Sequence, residues 1–173
     1  MKHLKVTKML LAISILGIMT ACSSESTLIG NVKVSDVSTS DCKTSLSKAD
    51  TRTEYYNDIY SKKPTLTMLM GNNYTINAQF IDVMDNCEIR QFHVDASSHD
   101  NTIVLILYPE RDMLTDCVCQ YDVNFKMKDL LPGNYQIVVY HTTSTKQTNS
   151  SNKIYEGPVN LEINKSVTLT MIR

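Results

Sequence analysis

The sequence predicts an all-β protein, an antiparallel β-sandwich of about seven to eight strands. Three observations carry that prediction. From Thr65 onward, apolar and polar residues alternate with a period of two. Turn-forming residues interrupt the alternation about every 8–12 residues, the spacing of sandwiches and barrels. No amphipathic stretch of helical length stands out beyond the first 21 residues.

The elements follow in chain order. Tyr74, Ile76, Ala78 and Phe80 alternate with Thr75, Asn77 and Gln79, a strand with one face in the core. Thr102–Tyr108 is a continuous β-rich run, as expected of a central strand. Gln120–Lys128 alternates strictly, with Tyr121, Val123, Phe125 and Met127 apolar. Leu131-Pro132-Gly133-Asn134 reads as a type II turn, with Gly133 at positive φ. Tyr135–Tyr140 forms the next strand. Val159, Leu161 and Ile163, then Val167, Leu169 and Met171, read as two strands joined by a tight hairpin turn at Asn164-Lys165.

The first residues have a different logic. Lys2, Lys5 and Lys8 precede an apolar run, Met9–Met19, of secretory length and too short to span a bilayer comfortably. Met19-Thr20-Ala21-Cys22 then resembles the bacterial lipobox, with Met where Leu is commoner. The resemblance implies cleavage before Cys22 and lipid attachment at it, and several acyl chains anchor a protein without any transmembrane helix. Ser23, rather than Asp, after that cysteine points to the outer membrane, facing the periplasm or the cell surface. The chain thus divides into a leader (1–21), a tether with a first strand (22–37), a polar loop segment pinned by Cys42 (38–63) and the sandwich core (64–173).

Composition excludes several function classes. The 173 residues carry a formal net charge of −1, and losing three leader lysines leaves 14 basic against 18 acidic side chains. That balance gives no footprint for nucleic acid. Five glycines supply no phosphate-cradling loop, and no dinucleotide or P-loop motif occurs. No nucleophile elbow, metalloprotease helix or facing carboxylate pair is legible. The chain reads as non-catalytic and calls for no cofactor.

Five cysteines are an odd count until Cys22 is set aside. Cys42, Cys87, Cys117 and Cys119 then read as two disulfides in an oxidising compartment. Cys117 and Cys119 share strand parity with Tyr121 and Val123, so both face the core. A bond between them would strain an extended chain, so each is expected to reach Cys42 or Cys87, in an order left open. The competing reading is a soft-metal site built from Cys87, Cys117 and Cys119 with His93, His99 or His141. Against it, no CxxC pair is present.

Asn86-Cys87, Asn101-Thr102-Ile103, Asp116–Phe125 with its CxCxYD element, and Leu130–Tyr135 together resemble a pattern in small Bacteroidetes lipoproteins. It covers about a third of the mature chain. The resemblance implies an immunoglobulin-like β-sandwich, exported and lipid-anchored, with no catalytic residues to carry over. Members often show two adjacent cysteines after the Asn, whereas Glu88 follows Cys87 here.

Three further places bear on binding. Tyr55, Tyr56 and Tyr60, among Glu54, Asn57 and Asp58, suit contact with a protein or glycan, because Tyr offers an apolar face and a polar tip. His93 and Asp95 share a strand face, with His99 and Asp100 beyond, a pattern able to hold a metal but equally a polar strand end. Residues 141–152 form a Ser/Thr/Asn-rich loop of the kind that carries recognition. The expectation is a lipid-anchored accessory or binding module for a protein or glycan. The alternatives are a structural subunit or stabilising partner of an envelope assembly, and a periplasmic metal-handling protein using the CxC thiols.

Overall fold

The computed structural model describes residues 32–43, 45–47 and 62–172. Among them are ten strands and no helix: β1 (Lys33–Thr39), β2 (Ser45–Ser47), β3 (Thr65–Met70), β4 (Ile76–Asn86), β5 (Ile89–His99), β6 (Thr102–Arg111), β7 (Cys117–Lys128), β8 (Gly133–His141), β9 (Lys153–Leu161) and β10 (Ser166–Thr170). They form a β-sandwich. One sheet runs β1-β7-β4-β3-β10 with β2 also on β7, and the other runs β5-β6-β8-β9.

Alternation places the core between the sheets. Ile76, Ala78 and Phe80 of β4 and Tyr121, Val123, Phe125 and Met127 of β7 point inward, against Ile103, Leu105 and Leu107 of β6 and Ile137 and Val139 of β8. Phe80 and Phe125 stack with ring centroids 5.5 Å apart. The apolar faces are long enough to shed water without helical cover, which is how two antiparallel layers stabilise each other.

The structure departs from the sequence reading in five places. The second sheet is mixed, because β6 and β8 pair in parallel from Thr102↔Gln136 to Leu107↔His141. The intervening strand, β7, crosses to the other sheet, so the chain returns to the second sheet in its original direction. Asn164-Lys165 does not close a hairpin: β9 pairs with β8, while β10 pairs with β3 in the opposite sheet. The connection is a crossing, with Asn164 at φ 61°. Gly133 has no positive φ; the left-handed residue before β8 is Asp129, at φ 68°. Tyr74 is 45% exposed at φ 58°, in the β3–β4 turn rather than the strand. Finally, the described strands number ten rather than about seven to eight, the 38–63 segment containing β2 and β1 continuing to Thr39.

Candidate functional site

The cysteines converge at one end of the sandwich. Cys42 pairs with Cys119 and Cys87 with Cys117, with Cα–Cα distances of 5.5 and 5.4 Å. Each cysteine of β7 therefore reaches one of the two distant partners. The pairs lie together: the Sγ atoms of Cys119 and Cys87 are 2.9 Å apart. Those of Cys42, Cys87 and Cys119 all fall within 4.8 Å. As disulfides these sulfurs offer no thiolate to a metal.

The residues around the cysteines serve the same joint. The Asn86 side chain donates to the carbonyls of Thr115 (2.6 Å) and Cys117 (3.2 Å) and accepts from Glu88 N–H and from Thr115. The Tyr121 hydroxyl donates to the carbonyls of Asn86 (2.9 Å) and Cys87 (3.1 Å). Burial pushes the Tyr121 phenol up from its ordinary pKa. Asp122 accepts from Lys43 at 2.8 Å and from the backbone N–H of Asp82 at 3.0 Å. Every residue of the CxCxYD element thus has a structural partner, apart from its variable positions. At the other end, the Tyr135 hydroxyl donates to Leu131 O at 2.8 Å, closing the segment before β8.

Comparison with known proteins finds no matching family model, no matching curated protein and no matching solved structure.

Cys22, Tyr55, Tyr56 and Tyr60 lie outside the described residues. The boundaries of the tyrosine-bearing segment are visible, however. Asp82, buried and at φ 59° in a bulge of β4, accepts from Lys43 at 2.6 Å and from Lys62 at 2.5 Å. One carboxylate therefore ties residues on both sides of that segment to the sheet, beside the Cys42–Cys119 bond. Burial pushes the Asp82 carboxyl up, but the hydrogen bonds and charges of Lys43 and Lys62 outweigh it and hold the group below the usual range.

His93 and Asp95 do share a face, but they have separate partners. His93 Nε2 sits 2.9 Å from Glu110 and its ring stacks on Tyr108 at 5.2 Å. Asp95 pairs with Lys146 at 2.7 Å, whose ammonium lies over the Tyr108 ring. This draws the 141–152 loop onto the outer face of β5–β6. His99, the last residue of β5, pairs with Asp100 in the exposed turn that follows. The four candidate ligands do not meet at one point.

Two arrangements escaped the sequence reading. The first is an open furrow of about 290 Å³ on the outer face of the larger sheet, its floor largely apolar and its rim carrying polar side chains. Thr67, Asn77, Gln79 and Asn124 line it with the Asp36–Lys126 ion pair (2.8 Å). Asp36, at φ 54°, sits where the β1–β7 register shifts between Ser35 and Ser38. That bulge carries its carboxylate to the furrow. Among the described residues, the amides of Asn77, Gln79 and Asn124 make no hydrogen bond. The only linear trace was the alternation of Asn77 and Gln79 with core residues, which marks a solvent face but not a furrow.

The second is a cleft of about 290 Å³ between the sheets, lined by Pro64, Phe80, Val83, Met84, His141, Ile154 and Ile172. His141 Nε2 lies 3.0 Å from Asp85, whose other oxygen accepts from Arg111 at 2.9 Å. Burial pushes the Asp85 carboxyl up, but His141, the Asn86 N–H and Arg111 overcome it and hold it below the usual range. These three residues come from β4, β6 and β8, too far apart in sequence to form a motif.

Proposed function

We propose that this protein is a non-catalytic, lipid-anchored module of the outer envelope that binds a glycan on the outer face of its larger sheet. The observation supporting this is the furrow: three side-chain amides without a partner among the described residues, a hydroxyl, and an ion pair that neutralises itself. Sugars are bound through such uncharged donor and acceptor arrays, whereas a charged partner would favour one net sign. The anchor rests on the lipobox-like Met19–Cys22, and the disulfide pairs fit an oxidising compartment. Tyr55, Tyr56 and Tyr60 are candidates, by residue type, for a second contact with the same ligand.

The test is a glycan array probed with the purified protein. The expected result is a saturable hit that weakens at least tenfold in Asn77→Ala/Asn124→Ala, with Tyr55→Ala and Tyr56→Ala reporting whether the segment contributes. Silence across the array, with a stoichiometric protein co-purifying instead, would move the reading to an envelope assembly. Labelling with a radioactive fatty acid, lost in Cys22→Ser, checks the anchor.

A further inference from the structure

We infer that the cleft between the sheets is a binding site for a small, mainly apolar molecule bearing one hydroxyl group, which His141 receives as an acceptor. The site is separate from the furrow on the outer face. Phe80, Val83, Met84, Ile154, Ile172 and Pro64 make its walls apolar, and His141 is the polar residue among them. A concave, apolar space with one placed polar group is the usual form of a small-molecule site.

The chemistry of the ligand follows from how His141 is held. Arg111 fixes one oxygen of Asp85 and the Asn86 N–H also donates to this carboxylate, at 2.7 Å. Asp85 can only accept while ionised, so a neutral His141 ring must give it the Nε2 proton. The ring's remaining polar atom, Nδ1, is then an acceptor. Phe92 packs against the ring at 5.9 Å between centroids, which limits its rotation. A ligand that offers a donor satisfies this nitrogen. One that offers only a carbon or ether oxygen enters the apolar space but leaves Nδ1 without a partner.

The experiment compares 2-naphthol with its methyl ether, which keeps the aromatic body and removes the donor. Binding to the full-length protein is followed by naphthol fluorescence and by calorimetry at neutral pH. Saturable 1:1 binding of naphthol is expected, about five- to tenfold tighter than the ether, the value of one neutral hydrogen bond. His141→Phe keeps an aromatic ring on Phe92 and should bind both probes equally. Ile154→Trp fills the cleft and should bind neither. Absence of saturable binding to the unmodified protein overturns the site. Equal affinity for the two probes overturns the role of His141, and this comparison needs no variant to fold. Loss of glycan binding in the furrow variant with naphthol binding intact would separate this inference from the proposed function.

Discussion

The two ends of the sandwich are closed by different chemistry. At one, the start of β7 is bonded through sulfur to the segment after β1 and to the β4–β5 turn, with Asn86 and Tyr121 hydrogen-bonded over the joint. At the other, Tyr135 turns its hydroxyl onto Leu131 O, Leu130 is buried, and Asn164 N–H donates to Met70 O at 2.7 Å. The first end also carries the Asp85–Arg111–His141 chain and the inter-sheet cleft. Crosslinks fix the end where polar groups must be buried. Packing and single hydrogen bonds suffice where they need not be.

The largest expected effect breaks this contrast by removing the sulfur bonds. They close loops with sequence separations of 77 and 30. In the chain-entropy model these are worth about 4.5 and 3.6 kcal/mol, a large share of the ordinary net stability of a domain. Cys42→Ser/Cys119→Ser should therefore destabilise more than Cys87→Ser/Cys117→Ser in urea unfolding. An equal loss, or a larger one for the shorter loop, would show that local packing rather than loop length governs this end.

A smaller effect is electrostatic and belongs to the same end. Asp82 and Asp85 both have depressed folded-state pKa values, for the reasons given above. An unfolded Asp titrates at about 3.9. The stability these groups contribute is therefore fully present above about pH 5, and it is lost as pH falls through their lower folded values. Hydrogen exchange at about pH 3 should show early opening around β4 and β7 at the cysteine end, while amides near Tyr135 stay protected. Asp82→Asn should cost about 2 kcal/mol at neutral pH, between a surface pair and a fully buried one because both lysines keep solvent access. It should also flatten the acid slope of the melting temperature. A variant with an unchanged slope would remove Asp82 from the account.

What the sequence reveals, and what it conceals, follows the difference between faces and partners. Period-two alternation assigns each residue a face, so Val123, Phe125, Met127 and the inward cysteine Cys119 were legible. It does not say which strand lies alongside. The parallel β6–β8 pair and the separation of β9 from β10 were therefore hidden, since nearby strands are most simply read as antiparallel neighbours. The cysteine partners were legible as a set, because strand geometry excluded a bond within Cys117-Val118-Cys119. Their order depended on the register that places Cys119 opposite Asp85 and, across β2, Ser45. Asp85, Arg111 and His141 come together only because three strands from both sheets converge, and Asp36 reaches the furrow only through a bulge. Tyr74 shows the opposite error, a residue with strand parity whose position was taken by the turn that Gly71 and Asn73 organise.

The smallest effect sharpens the comparison between the ends most directly. Tyr121→Phe and Tyr135→Phe each remove one hydroxyl from a buried ring, and each should cost about 1 kcal/mol, Tyr121 somewhat more because two carbonyls share its proton. The singles alone hardly distinguish the ends, but a double-mutant cycle does. Tyr121 holds the carbonyl of Cys87, so its cost should change by at least about 0.5 kcal/mol when Cys87→Ser/Cys117→Ser frees that turn. Tyr135 makes its hydrogen bond at the opposite end, to Leu131 O, so its cost should be the same with or without the disulfide. Additivity at both tyrosines would mean that the hydroxyl and the sulfur bond stabilise the β4–β5 turn independently. Coupling at Tyr121 alone would make the Asn86, Cys87, Cys117 and Tyr121 group one cooperative joint, and it would explain why these residue types occur together in the sequence.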